Sequence, residues 1–427
     1  MKFLIFVICC GLVAGDVFKH DINLVESVRN RLIRTGQWDA HKTKSDLMRI
    51  EAKHQILGSV PETINDYESS ILTTNITLGT PPQNFVAFLD TGSSNLWVAD
   101  KTCGQKIVSC PDFCIDQPEY CKSGACSSTC CGSRANINAG KKKVCDIKNK
   151  FDSSKSTSYV KNGRGFSIYY SYGQVEGFLG QDTLAIAGNK GKSLSITNTV
   201  FAQANLLPDV FLNSPADGIL GLAFASLAED NIVPPILDAI KRKLLDAPVF
   251  TVYLNGYVGT GKGGVITYGA IDTDNCGSDI NYVGITIPAW FQFNLDSVST
   301  SLGSVTNVKT QATSDTGRDY IAGTQAFTDS IAKSLGATYD PKTQFYQIDC
   351  KKAVSDVIFT IAGNKYPVKA VNMVSKHGSF CALNLRSFDA NGAGHSWVLG
   401  TPFMRQYCHI HDLGNRRLGF ATPKSQK

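Results

Sequence analysis

The triplet Asp-Thr-Gly occurs twice in this chain, at Asp90-Thr91-Gly92 and at Asp315-Thr316-Gly317. Each copy has the same kind of echo downstream. Ile219-Leu220-Gly221 ends 131 residues past Asp90, and Val398-Leu399-Gly400 ends 85 residues past Asp315. A single Asp-Thr-Gly is ordinary turn chemistry, because Asp and Gly both favour turns. Two copies, each followed by an apolar-apolar-Gly strand, imply two similar units related by duplication. If the units face each other, two carboxyls share one site and can act as an acid/base pair.

Other features place those units in the chain. A length of 427 residues suggests two or three core-sized units, and 43% apolar with 18% charged residues is an ordinary globular composition. Residues 1–15 read as a signal peptide: Lys2, an apolar run over 3–13, then Ala14-Gly15. The run is too short to span a bilayer. No later stretch approaches that length, and the C-terminus has no ER-retention or anchor signal. The expected location is therefore the secretory pathway, either extracellular (a gut lumen, for instance) or lysosome-like, without a membrane anchor.

Of 14 cysteines, Cys9 and Cys10 leave with the signal, and an even number remains for disulfides. Eight crowd into an insert at 103–148, while Cys276, Cys350, Cys381 and Cys408 are spread downstream. Irregular spacing without histidine argues against zinc in the insert. The insert is basic but lacks the aromatic interleaving of a nucleic-acid binder, so a solvated loop is the expected reading. Asn75-Ile76-Thr77 is an N-glycosylation acceptor.

Residues 16–60 carry eight Lys/Arg against six Asp/Glu and no cysteine. Leu24, Val25, Val28, Leu32 and Ile33 share a helical face that Gly36 ends, which predicts a helical, mildly basic extension. From Ile71 onward, short strands alternate with turns. Residues 85–89 lead into Asp90, and 166–173 with 175–184 form a tyrosine-rich hairpin. Residues 217–222 form an apolar strand and 236–245 a short helix. Residues 256–262 imitate a phosphate loop, but Gly263 replaces the required hydroxyl, leaving a hairpin turn. His409 and His411 share a strand face without a third ligand, so no metal site is expected. No nucleophile elbow or metalloprotease helix is present.

Leu89-Asp90-Thr91-Gly92-Ser93-Ser94-Asn95-Leu96-Trp97, Asp217-Gly218-Ile219-Leu220-Gly221-Leu222 and Trp397-Val398-Leu399-Gly400, continuing to Phe403-Met404-Arg405-Gln406-Tyr407, resemble the pepsin-like aspartic proteases, family A1. The resemblance covers about residues 70–425 and is strongest toward nematode-type secreted or lysosomal members. It implies an all-β, bilobal fold with short helices: an N-terminal lobe at 70–247, a C-terminal lobe at 248–427, and a cleft between them. It implies a propeptide at 16–60 that inhibits the chain's own site. It makes Asp90 and Asp315 the catalytic pair, Thr91 and Thr316 their braces, Gly92 and Gly317 part of the substrate surface, and Tyr170 the flap tyrosine supported by Trp97. Ser93 would hydrogen-bond the outer oxygen of Asp90. Cys350–Cys381 and Cys276–Cys408 would be disulfides; the insert's pairings stay open. The implied activity is hydrolysis of polypeptides in acid by water activated between two carboxyls, by a monomer with no metal and no other cofactor.

The pattern breaks around the second triplet. Thr313-Ser314 precedes it where apolar residues are expected, and Arg318-Asp319 follows it where hydroxyls are expected. If Arg318 contacts Asp315, it opposes proton sharing, because a guanidinium favours the charged form of a neighbouring carboxyl. If it pairs with Asp319 instead, the pair is left nearly normal. Ser171 also replaces the glycine expected after the flap tyrosine. Three functions therefore stay open: an acid endopeptidase, a catalytically impaired relative that binds peptides, and a secreted cysteine-rich binding protein.

Overall fold

Residues 71–99 show why this chain forms strands buried on both faces. β3 (Gln83–Asp90) and β4 (Leu96–Ala99) carry apolar residues at consecutive positions, the pattern of strands covered on each side, while β2 (Ile71–Leu78) has polar residues between its apolar ones. Phe85, Ala87, Leu89, Leu96 and Val98 face one core, while Phe88, Trp97 and Ala99 face another. A computed structural model describes residues 15–25, 31, 35, 71–104, 144–170, 173–188, 192–208, 211–212, 214–255, 263–302, 305–306, 310–377, 379–388 and 395–424.

The N-terminal lobe continues with β5 (Val160–Tyr170), β6 (Gly173–Ala187), β7 (Ser193–Leu206) and β8 (Gly218–Gly221). The C-terminal lobe opens with β9 (Val249–Leu254) and β10 (Gly264–Tyr268), an antiparallel pair whose connection over 256–262 lies outside the described residues. One 13-stranded sheet runs through both lobes. β1 (Phe18–Val25) links the two halves, paired with β10 on one side and β2 on the other.

The helical expectation is therefore wrong for residues 18–25. Phe18, His20 and Ile22 are buried at alternate positions, a period of two, and two sheet edges flank the segment. Tertiary pairing overrides a weak helical period. The remaining positions of that predicted face, Val28, Leu32 and Ile33, lie outside the described residues. Lys19 secures the strand through Asp272 at 2.9 Å and Asp274 at 2.6 Å.

The duplicated sequence becomes a duplicated topology. In the first lobe β3 runs parallel to β8, with Asp90 opposite Gly221, and β8 runs antiparallel to β4. In the second, Thr310–Ser314 runs parallel to Trp397–Leu399, which is antiparallel to Ile321–Gly323. Each lobe has its own apolar core, around Trp97 in the first and Trp397 in the second, and a third cluster from Phe85 to Phe250 and Met404 spans both; the described helices are short: Pro235–Lys241, Gln325–Leu335, Ala370–Met373 and Thr401–Gln406. The protein is all-β and bilobal. No described helix is long and apolar enough to cross a membrane.

Disulfides join Cys103 to Cys145, Cys276 to Cys408 and Cys350 to Cys381. The first closes the root of the insert, whose residues 105–143 lie outside the described set. That root is also pinned by Asp217, which accepts from the Asn149 backbone, the Asn149 side chain and Val86 N.

Candidate active site

Asp90 ends β3 and Asp315 directly follows the strand Thr310–Ser314, so equivalent strands deliver the two carboxyls. A reciprocal lock joins the loops. Thr91 N donates to Thr316 Oγ1 and Thr316 N donates to Thr91 Oγ1, both at 2.9 Å. The Thr91 hydroxyl donates to the Ser314 carbonyl at 3.2 Å, and the Thr316 hydroxyl to the Leu89 carbonyl at 2.8 Å. Each threonine thus holds the residue before the opposite aspartate. All of these groups are buried, where a broken bond leaves an unsatisfied donor or acceptor costing about 1–3 kcal/mol.

The glycines show where the carboxyls point. Gly92 N donates to Asp90 Oδ1 and Gly317 N to Asp315 Oδ1, each at 2.8 Å. A Cβ on Gly92 would lie 3.0 and 3.1 Å from the Asp315 oxygens and 3.1 Å from Asp90 Oδ1; one on Gly317 would lie 3.1 and 3.2 Å from the two Oδ1 atoms. Both carboxyls therefore border the same small volume, which only glycine leaves open. Asp90 is 2% exposed and Asp315 6%.

Symmetry fails at the outer oxygens. Ser93 Oγ donates to Asp90 Oδ2 at 2.5 Å. On the other side, Arg318 Nε donates to Asp315 Oδ2 at 3.3 Å, and Arg318 Nη1 donates to the Tyr320 hydroxyl at 2.7 Å. Asp319 faces Arg386 instead, at 3.8 Å, and the Arg386 guanidinium lies 4.1 Å from the Tyr320 ring centre. Of the two geometries left open by the sequence, Arg318 takes the one that contacts Asp315. Arg386 had no signal: it lies 67 positions from Asp319 and belongs to no motif.

Trp97 is fully buried, edge-on to Phe211 at 5.2 Å, in the cluster that also holds Phe166 and Ile168 of β5. Tyr170 ends β5 and pairs with Gly173 across the hairpin; its side chain and residues 171–172 lie outside the described set. Asn75 is exposed on β2.

His409 and His411 sit on the strand Cys408–Asp412, fully buried, with ring centres 6.1 Å apart. His409 Nδ1 lies 2.8 Å from Ser314 Oγ, while His411 stacks on Phe250 at 4.3 Å. Burial pushes His409 down to about 3, and burial followed by the charge of His409 holds His411 well below the ordinary histidine range. An unfolded chain takes up these protons below about pH 6.5, whereas the native rings refuse them. Their stability contribution is therefore complete above that pH and is lost as pH falls, by up to about 1.4 kcal/mol per pH unit for each ring. Urea unfolding of His411→Phe should show a loss between about pH 7 and pH 5 that is smaller than wild type by roughly 2 kcal/mol. Equal losses would contradict this.

Two β lobes that lock a pair of carboxyls around one volume define an aspartic-type peptidase. The family model for eukaryotic aspartyl protease matches residues 72–423, and the chain belongs to that family. It is 38% identical to Aspartic protease 6 of Caenorhabditis elegans over 431 residues, spanning 100% of both chains. It is 34% identical to Aspartic protease 2 of Necator americanus, covering 99% of each, and 29% identical to Cathepsin E of Aquarana catesbeiana, covering 98% and 96%. Polypeptides are accordingly the substrate class.

Proposed function

We propose that the chain is an endopeptidase working in acid, with Asp90 and Asp315 as its catalytic pair. The observation carrying this reading is the convergence of both carboxyls on the volume beside Gly92 and Gly317. Two carboxyls so close cannot both ionise cheaply, so they hold one proton between them. The ionised member takes a proton from a water in the shared volume, and that water attacks the scissile carbonyl. The protonated member donates to the carbonyl oxygen, and the proton then passes to the leaving nitrogen. Both carboxyls come from one chain, so a monomer suffices.

The β5–β6 hairpin is the flap, with Tyr170 near its tip and Trp97 in the cluster at its base. Gly92 and Gly317 contribute to the substrate surface. Residues 16–60 act as a propeptide; the support is β1, which is held between the lobes and tied by Lys19 to Asp272 and Asp274. The exposed Asn75 carries a glycan, as suits a chain routed through the secretory pathway to the exterior or a lysosome-like compartment.

A second reading, an impaired relative that binds peptides without cutting them, is favoured by one observation: the contact of Arg318 with Asp315. The test is incubation of the purified full chain with a quenched peptide library at about pH 4, where a shared proton is retained. Loss of the leader together with cleavage supports the endopeptidase. Peptide binding by a folded chain without any cleavage overturns it in favour of the second reading.

A further inference from the structure

We propose that His409 is a positioning residue for Asp315, acting through a buried hydrogen bond to Ser314. The proposal rests on the reading of Asp315 as catalytic. Ser314 is polar where an apolar residue was expected before the second triplet, and it is 0% exposed. A hydroxyl at that depth needs a partner. His409 Nδ1 supplies it at 2.8 Å from a strand 95 positions away in sequence. Two oddities of the sequence thus account for each other.

Ser314 is the junction on which the Asp315 loop is mounted. Its carbonyl accepts from the Thr91 hydroxyl, its N–H donates to Phe291 O at 3.1 Å, and the next N–H, that of Asp315, donates to Leu399 O at 3.2 Å. The bond to His409 ties the same junction to the strand Cys408–Asp412, which pairs with β9 in the interlobe sheet. The imidazole cannot swing away: Phe420 and Phe403 pack edge-on at 4.9 and 5.5 Å. Its Nε2 has no hydrogen-bond partner among the described residues, so the ring's one bond goes to Ser314. His411, on the same strand, instead stacks on the ring of Phe250.

The test compares kcat and KM of activated Ser314→Ala, His409→Phe, the double variant and His411→Phe. Ser314→Ala deletes only a hydroxyl and should lower kcat about three- to tenfold with KM nearly unchanged, the worth of one buried hydrogen bond. His409→Phe, which orphans the hydroxyl, should lose at least as much. The double variant should be no worse than His409→Phe, because both changes remove the same bond. His411→Phe should keep kcat within about twofold. Wild-type kcat in Ser314→Ala, or equal losses in the two histidine variants, would overturn the proposal. If His409→Phe does not fold, Ser314→Ala decides alone. An inactive wild type overturns the reading of the site itself, whereas an active wild type with an unaffected Ser314→Ala overturns only the brace.

Discussion

Asparagine in place of Asp90 or Asp315 is expected to lower kcat by about 10³- to 10⁴-fold, with a much smaller change in KM. An amide matches the carboxyl in shape but cannot exchange a proton with water or with the scissile carbonyl. The two substitutions differ in their side effects, because the outer oxygens differ. Around Asp90 the partners are Gly92 N and the Ser93 hydroxyl, and a hydroxyl can turn to accept from an amide. Around Asp315 the outer partner is Arg318, a donor that cannot accept. Asp315→Asn removes a buried anion from beside a buried guanidinium, which typically costs about 3–5 kcal/mol. It should therefore lose stability in urea as well as activity, while Asp90→Asn should lose activity almost alone. Equal stability in the two variants would mean that the Arg318 contact is not maintained in solution.

Arg318→Gln is expected to raise kcat/KM at least about tenfold, or 1.4 kcal/mol of barrier. Glutamine can set an amide N–H where Arg318 Nε stands, beside Asp315 Oδ2, but it carries no charge and gives up the Nη1 bond to the Tyr320 hydroxyl. The guanidinium Nε lies 3.3 Å from Asp315 Oδ2, so the variant removes a full positive charge from the edge of the site. At an effective dielectric constant of about 20, two unit charges 4 Å apart interact by about 4 kcal/mol. Tenfold is what remains after solvent offsets most of that. The check is steady-state cleavage of one quenched peptide by both activated enzymes. A fall in rate would show that Arg318 supports the site.

What could be read from the sequence follows from where each contact lies. The reciprocal lock was legible because Thr91 and Thr316 occupy the same place in two copies of one motif. The strands β8 and Trp397–Leu399 were legible for the same reason. The helical face was drawn through Leu24 and Val25, which instead end the strand Phe18–Val25; only the edges of β2 and β10 decide that. The direction taken by Arg318 depends on Arg386 holding Asp319 and on Tyr320 receiving the guanidinium, contacts made only after the lobe folds. Ser314 departs from the motif, and the partner that accounts for it, His409, lies 95 positions away. Motif positions declare themselves locally, whereas partners tens of residues away do not.

If Asp90 and Asp315 form one catalytic unit, the double variant Asp90→Asn/Asp315→Asn measures it most directly. A unit broken once is already broken, so kcat of the double variant should lie within about tenfold of the worse single variant. A multiplicative loss, on the order of 10⁶-fold or more, would mean two independent contributions and would contradict the shared site.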